Sequence, residues 1–168
     1  MDAVSLSMKK EIAELIQRLV GEPCTKQEVG RMKSLSLGFG KPVKRAIKVN
    51  EKVYREWEMG SYRSAWRVVK EGRVLCGSTD VSDSLAESNE ALAGVELGRL
   101  AGVTQVNSLD VRVEFENDLA VEFLSTFSDD DECFHVFCPG DLFIGYSLHA
   151  GWQLSSSNQP SAGPTLEG

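Results

Sequence analysis

Histidine is scarce in this sequence: only His135 and His149 occur in 168 residues. A zinc site needs about four converging ligands, and the cysteines and histidines show neither CxxC nor HxxxH spacing. Glycosidase chemistry needs paired carboxylates in a cleft, whereas alternation places the glutamates of the clearest strands on a solvated face. The sequence therefore predicts no metal, no cofactor and no catalytic residue.

The only arrangement that suggests a nucleophile is the pair Cys133 and His135. An extended strand would place these two side chains on one face and Cys138 on the other, because side chains alternate along a strand. A cysteine nucleophile requires a neighbouring base and a lowered pKa, but the acidic residues beside Cys133 are expected to raise its pKa. We therefore expect buried thiols, a strand histidine and a non-enzymatic function.

Long hydrophobic runs are also absent. No segment approaches the ~20 apolar residues of a membrane span, and no apolar run precedes Lys9 and Lys10. We expect neither a membrane helix nor a signal peptide. A reducing, cytoplasmic location is favoured by four irregularly spaced cysteines, which are Cys24, Cys76, Cys133 and Cys138. Two disulfides in an exported protein are the alternative.

Positive charge is nearly missing from the second part of the chain. Residues 1–73 hold 16 of the 18 Lys and Arg and 9 of the 25 Asp and Glu, for a net charge of +7. Residues 74–168 carry −14, and the whole chain carries −7. The simplest interpretation is a solubilising surface with internal ion pairs. The alternative is an acidic face for a basic partner protein, since complementary fields speed association, whereas nucleic acid is a poor partner.

The segment 109–123 has the clearest pattern in the chain, that of a β-hairpin. Apolar residues alternate with polar ones from Leu109 to Phe115 and again from Leu119 to Phe123, as in half-buried strands. A three-residue loop over residues 116–118 keeps both apolar sets on one face. This register predicts the cross-strand pairs Phe115–Leu119, Val113–Val121, Val111–Phe123 and, on the polar face, Arg112–Glu122.

Two helices are predicted from apolar periodicity and capping residues. An apolar stripe from Met8 to Val20 predicts the first, capped by Ser5 or Ser7 and ended by Gly21. The second begins at the capping box Ser84 to Glu87 and ends at Gly94. A similar box at Thr25 to Glu28 predicts a short helical turn.

Further strands are predicted at residues 35–39, 54–59, 65–69, 74–76, 133–137 and 142–148. The strand at 54–59 is expected at the edge of a sheet. A turn at Glu71-Gly72 joins the next two strands, with Val69 opposite Val74 and Val68 opposite Leu75. Apolar residues on both faces of this hairpin predict a central position, covered on both sides.

These elements predict a single α+β domain over residues 1–154. Its sheet is mainly antiparallel, or mixed, and the N-terminal amphipathic helix packs on it. Residues 155–168 are poor in apolar residues and rich in Ser, Pro and Gly, which predicts a disordered tail.

Several motifs resemble those of a family of small, largely uncharacterised bacterial proteins. They are Cys24 to Phe39 (CTKQEVGRMKSLSLGF), Ser64 to Val69 (SAWRVV), Gly72 to Asp80 (GRVLCGSTD), the hairpin 109–123 and Glu132 to Gly140 (ECFHVFCPG). The likeness covers most of residues 6–148. The sequence departs from the family pattern at Ser64, where a cysteine is usual, and at Phe134, which occupies a tryptophan position.

The resemblance implies a function as well as a fold. Proteins that look like this are often encoded among bacterial polymorphic-toxin and contact-dependent competition loci, where small acidic α+β proteins act as immunity factors. Such proteins bind and block a cognate toxin domain. The resemblance thus implies a cytoplasmic immunity protein with a toxin as its partner and no catalytic residues.

Two sets of residues are candidate sites. An acidic surface that would cover a basic toxin is formed by Asp129, Asp130, Asp131, Glu132, Glu114, Glu116 and Glu122. The alternative function is a small-ligand-binding or regulatory module with an aromatic pocket, lined by Trp57, Tyr62 and Trp66.

Overall fold

The computed structural model describes residues 8–43, 54–62, 64–80, 84–128 and 132–156. Within these ranges the chain forms two α-helices, two single-turn 3₁₀ helices (Arg31–Lys33 and Ser78–Asp80) and eleven strands, and all of the strand pairings are antiparallel. The predicted class, a mainly antiparallel α+β protein, is confirmed at this level. No described helix is long and apolar enough to cross a membrane.

The strands form two sheets, and the α-helices are α1 (Lys10–Gln17) and α2 (Leu85–Ala93). The six-stranded sheet contains, in spatial order, β1 (Cys24–Val29), β2 (Leu35–Val43), β3 (Tyr54–Gly60), β9 (Glu132–Cys138), β10 (Leu142–Ser147) and β11 (Gly151–Ser156). The five-stranded sheet contains β5 (Arg73–Gly77), β4 (Ala65–Lys70), β8 (Leu119–Leu124), β7 (Asp110–Phe115) and β6 (Leu100–Val106).

The two sheets pack face to face around one hydrophobic core. The ring centroids of Phe123 in β8 and Phe134 in β9 are 5.2 Å apart, and Phe115 in β7 stacks on Phe39 in β2 at 6.3 Å. Because side chains alternate along a strand, each sheet has one face in this core and one outer face. The outer face of the six-stranded sheet carries the candidate site.

The predicted hairpin of residues 109–123 is confirmed in its register. Its strands are β7 and β8, and Asn117 and Asp118 in the connecting turn have φ angles of 71° and 61°. Both residues tolerate this left-handed conformation better than most non-glycine residues do. The observed pairs include Val111–Phe123, Arg112–Glu122 and Val113–Val121.

The two α-helices differ in how their N-termini are capped. Lys9 is the N-cap of α1 without a side-chain hydrogen bond, and the predicted caps Ser5 and Ser7 lie outside the described residues. In α2 the predicted cap is confirmed, since Ser84 Oγ accepts a hydrogen bond from the backbone N–H of Glu87.

Two predictions for the six-stranded sheet are wrong. Residues Thr25 to Glu28 do not open a helical turn but belong to β1, because pairing with β2 satisfies their backbone groups. The side chain of Asn89 in α2 also bonds the backbone of Val29 at the end of β1. Strand β3 is not at an edge, because it lies between β2 and β9.

The hairpin β4–β5 is only partly as predicted. Val69 pairs with Val74, but a register shift places Val68 opposite Cys76 rather than Leu75. Strand β5 is an edge strand, with Val74 and Leu75 exposed to 57% and 48%. The prediction of a central hairpin covered on both faces is therefore wrong.

The C-terminal segment contains one more strand than predicted. Strand β11 pairs with β10, and this pairing includes Phe143–Ser155 and Leu142–Ser156. Ser155 and Ser156, assigned to the tail from the sequence, thus belong to a sheet, and residues 157–168 lie outside the described residues.

Candidate functional site

The candidate site is centred on His135, on the outer face of the six-stranded sheet. Phe134 and Val136 point into the core, so His135 between them points outward. Its neighbours across the sheet are Gly60 on β3 and Gly145 on β10. Since neither glycine has a side chain, the imidazole ring has room to lie against the sheet.

Three aromatic rings surround this imidazole. Its centroid lies 4.5 Å from that of Tyr62, 5.2 Å from that of Phe137 and 5.9 Å from that of Phe143. Phe137 and Phe143 are paired across β9 and β10, with their ring centroids 5.0 Å apart. His135 is 7% exposed, whereas Tyr62 is 43% exposed. The rings thus form an aromatic surface in which the tyrosine is the outermost member.

A carboxylate orients the imidazole. Oε1 of Glu132 lies 3.1 Å from Nδ1 of His135, and their side chains are 27% and 8% exposed. An ionised carboxylate only accepts hydrogen bonds, so the Nδ1 atom that faces it is the donor. Glu132 thus places a carboxylate next to the aromatic surface.

The hydroxyl of Tyr62 is kept protonated by its surroundings. The pKa of Tyr62 is raised to about 12, mainly by burial and also by the negative charge of Glu132 and by the neighbouring Tyr54. Tyr62 therefore presents a neutral ring and a hydrogen-bond donor throughout the physiological pH range.

A buried ion pair lies beside the aromatic surface. Glu58 on β3 is opposite Phe137 and is 5% exposed. Its carboxylate accepts hydrogen bonds from Lys26 Nζ at 3.0 Å, from Ser36 Oγ at 2.8 Å and from the backbone N–H of Arg55 at 2.8 Å. These partners offset the cost of burying its charge, so Glu58 serves to hold β1, β2 and β3 together.

The four described residues of the predicted acidic surface do not all lie together. Glu114 and Glu122 lie on the outer face of the five-stranded sheet and Glu116 lies in the adjoining turn, whereas Glu132 lies on the opposite side of the molecule. Asp129, Asp130 and Asp131 are outside the described residues.

Two of these glutamates are engaged in ion pairs. Oε1 of Glu122 lies 2.7 Å from Arg67 Nε, and Oε2 lies 3.2 Å from Arg112 Nη1. Arg112 Nε also lies 3.4 Å from Oε1 of Glu114. Glu116 is exposed. This part of the surface is a ladder of alternating charges, as expected for a solubilising surface.

The predicted aromatic pocket is also divided. Trp57 and Trp66 are buried in the core, to 7% and 3% exposure, whereas Tyr62 is exposed on the outer face. Trp66 Nε1 donates a hydrogen bond to the carbonyl of Lys33, and the guanidinium of Arg18 lies 5.5 Å from the ring of Trp57. All three residues are described, and their rings make no contact with one another. Only Tyr62 belongs to the candidate site.

Cys133 and His135 do not share a face, contrary to the sequence prediction. Cys133 is 3% exposed, and its thiol donates a hydrogen bond to the carbonyl of Phe123 in the core. Burial raises the pKa of Cys133 to about 11. The thiol and the imidazole thus lie on opposite sides of β9, and the thiol is protonated at neutral pH.

A small depression lies next to Cys133. Its volume open to a water-sized sphere is about 10 Å³, and it is lined by Ser64, Ser125, Phe127, Cys133 and Leu148. Sites for drug-sized ligands measure about 300–1,000 Å³. This depression is too small to hold a metabolite of ordinary size.

The cluster around His135 was not identified from the sequence, although a signal was present. Phe137 and Phe143 stand at odd positions, whereas the core residues Phe134, Val136 and Ile144 stand at even positions, so alternation places the two sets on opposite faces of their strands. Aromatic residues at both odd and even positions of two successive strands indicate an outer face that is not purely polar.

No protein-family model, curated protein or solved structure matches this chain.

Proposed function

We propose that this chain is a non-catalytic binding protein that recognises a partner protein through the outer face of its six-stranded sheet. The observation that carries the proposal is the aromatic surface of Tyr62, His135, Phe137 and Phe143 on this face. Tyrosine is enriched where proteins bind one another, because its ring offers a large contact area and its hydroxyl a hydrogen bond.

The partner class follows from the resemblance to bacterial competition proteins. In this proposal the chain is a cytoplasmic immunity protein, and its partner is a toxin domain that it binds and blocks. The net charge of −7 favours a basic partner. Asp129, Asp130 and Asp131 precede Glu132 in the chain and are proposed to attract that partner electrostatically.

The proposal includes a rigid support for the binding face. We infer that α1 packs on the sheets, because Ile12 and Ile16 are buried and belong to the hydrophobic core. The guanidinium of Arg18, directly after α1, lies over the ring of Trp57 in β3. A binding face held by such a core loses little conformational entropy on association.

Affinity capture from the encoding bacterium, followed by a growth assay, tests this function. The full chain should retain one stoichiometric basic protein, more weakly as the salt concentration rises. Production of the captured protein in a bacterial host should stop growth, and co-production of this chain should restore it. Replacement of Tyr62 by aspartate should abolish both capture and rescue.

Two further variants make the result specific. Glu116→Gln changes one exposed charge in the turn between β7 and β8, away from this face, and should behave as the wild type does. Reversal of Asp129, Asp130 and Asp131 to lysine should slow association and reduce its salt dependence. Capture that is equally strong with Tyr62→Asp, or a captured protein whose toxicity this chain does not relieve, would contradict the proposal.

A further inference from the structure

We propose that the turn between β1 and β2 enters a cleft of the partner protein that has an apolar floor and carboxylates at its rim. This turn carries Arg31, Met32 and Lys33, which we call the β1–β2 tip. The inference rests on the proposed function, because it assigns the partner group that meets one end of the binding face.

The tip carries the most exposed large apolar side chain of the described residues. Met32 is 72% exposed, compared with 57% for Val74 and 43% for Tyr62. Arg31 and Lys33 are exposed as well, and no carboxylate of the described residues pairs with either of them. The tip therefore presents one apolar group between two cations that a partner protein is free to contact.

The backbone of the tip is strained. Met32 and Lys33 both have a φ angle of 59°, and the backbone N–H of Ser34 donates to the carbonyl of Arg31 at 3.1 Å. Two consecutive left-handed residues are typical of hairpin turns that prefer Asn-Gly, because a Cβ atom is crowded in this conformation. The pair Met-Lys thus costs the fold free energy that Asn-Gly would not. Strain of this kind is concentrated at functional sites.

A buried tryptophan holds the strained turn in place. Trp66 of β4 is 3% exposed, and its Nε1 donates a hydrogen bond to the carbonyl of Lys33 at 2.7 Å. The backbone N–H of Gly30 also bonds the carbonyl of Ser34 at 2.9 Å. Because both sheets hold the turn, its backbone is ordered before a partner arrives and loses little conformational entropy on binding.

The tip is continuous with the proposed binding face. Leu35 follows the turn, and its carbonyl accepts a hydrogen bond from the backbone N–H of Ser61 at 3.2 Å. Tyr62 is the next residue after Ser61. A protein interface of ordinary size, about 800 Å² on each partner, therefore covers both Tyr62 and the tip.

The charges of the tip select the partner group. The chain carries a net charge of −7, whereas Arg31 and Lys33 make the tip locally positive. Carboxylates pair with such cations, and an apolar floor receives Met32, whose flexible thioether adapts to irregular gaps. Carboxylates in a cleft are also the acid and base groups of many hydrolases. A tip of this composition would block a toxin at its active site.

Urea unfolding of the full chain tests the strain without a partner. Met32→Asn and Lys33→Gly each supply a residue that suits the left-handed backbone. Each variant should lower the unfolding equilibrium constant by about threefold or more. Val74→Asn on the edge strand β5 is the control and should not stabilise the fold. Tip variants that are no more stable than the wild type would overturn the proposal, because Met-Lys would then carry no strain.

Affinity for the protein retained in the capture experiment tests the contact. Met32→Asn should weaken this affinity by about tenfold or more, although the variant is the more stable protein. Met32→Leu keeps an apolar side chain and should stay within about threefold of the wild type. Lys33→Gln should lower the affinity and its dependence on salt. Val74→Asn should bind as the wild type does.

Photo-crosslinking identifies the group that meets the tip. The variant Met32→p-benzoylphenylalanine should become linked to the retained protein, within a segment that contains Asp or Glu. The same substitution at Val74, another exposed apolar residue, should give no link. A link from position 32 to a segment without carboxylates would overturn the assignment of the partner group.

Further results separate the tip from the proposed function. Wild-type affinity of Met32→Asn would overturn the tip, as would binding of the chain to phosphatidylglycerol vesicles that Met32→Asn abolishes, since this would indicate a membrane anchor. If the tip variants bind normally while Tyr62→Asp still abolishes capture, only the tip is wrong. If capture ignores Tyr62, or if the wild-type chain retains no protein, the proposed function itself fails.

Discussion

Cys133 and Phe134 are consecutive residues of β9, yet both of their side chains are buried between the two sheets. The cause is a β-bulge, since Phe134 pairs with Tyr146 and Glu132 pairs with Ser147, which leaves Cys133 as an extra residue. Residues three apart in a regular strand point to opposite faces. The bulge reverses this parity, and so it places Glu132 beside His135 on the outer face.

The buried thiol of Cys133 is expected to make the fold less stable as the pH rises above 9. Its pKa rises from an ordinary 9.0 to about 11 because of burial, and that of Cys24 rises equally for the same first cause. Between pH 9 and pH 11 the unfolded chain therefore binds fewer protons than the folded chain does. The free energy of unfolding is unaffected by these thiols below pH 9 and falls as the pH rises toward 11.

Urea unfolding across this pH range measures the loss. Cys24→Ala combined with Cys133→Ala should flatten the dependence of the unfolding free energy on pH, although it lowers stability at every pH. Cys76→Ala, which removes a less buried thiol, should change the slope less. Parallel curves for the wild type and the double variant would show that these thiols do not titrate as described.

Gly60 is required by close contact between strands. A Cβ atom at this position would overlap the backbone carbonyl of Leu35, which cannot move without disrupting β2. Gly60→Ala should lower the free energy of unfolding by about 1–3 kcal/mol. Gly102 in β6 has no atom near its own Cβ position. Gly102→Ala should therefore be neutral, or stabilising by about 0.5 kcal/mol, and equal effects of the two variants in urea unfolding would contradict the prediction.

The charge ladder on the five-stranded sheet stabilises the fold. Glu122 is 12% exposed and lies between Arg67 and Arg112, both of which are partly exposed. Glu122→Gln should lower the free energy of unfolding by about 1 kcal/mol. The effect is no larger because solvent screens part of each ion pair. Glu116→Gln should lower the free energy of unfolding by less than about 0.5 kcal/mol. The difference should shrink in roughly 1 M salt, where charges are screened within about 3 Å; an undiminished difference would indicate a packing effect.

The fold could be predicted where local pattern and pairing agree. In the hairpin of β7 and β8 the alternation is complete and one loop length keeps both apolar sets together, so the register follows from the sequence. Strand β1 has no such alternation, and its burial follows from contacts with β2 and α2 that are distant in sequence. Local capping chemistry at Thr25 to Glu28 therefore gave the wrong element.

The candidate site could be predicted only in part. The sequence indicates Tyr62 and Glu132 as candidates for two different sites, and it groups His135 with Cys133. Regular alternation along β9 would place Glu132 and His135 on opposite faces. Only the pairing of β9 with β10 reveals the extra residue at Cys133 that brings them to the same face. A bulge of this kind depends on the partner strand, so residue spacing alone does not report it.

Gly145 keeps the Glu132–His135 contact in place, and its replacement by alanine tests that role. The new Cβ atom would stand 2.8 Å from Oε2 of Glu132 and 3.2 Å from Cε1 of Phe143. Because the carboxylate is the end of a flexible side chain, Glu132 should swing away while the backbone stays. Stability should then change by less than about 1 kcal/mol, whereas Nδ1 of His135 loses its acceptor.

The imidazole signals distinguish this displacement from a general loss of structure. In ¹⁵N spectra of histidine-labelled protein, Gly145→Ala should increase the Nε2–H tautomer of His135, as Glu132→Gln should, because the carboxylate no longer holds the proton on Nδ1. Gly102→Ala, the same change on the other sheet, should leave the tautomer as it is. Unchanged His135 signals in Gly145→Ala would mean that the carboxylate does not set the tautomer, and that the order of this face comes from the aromatic rings alone.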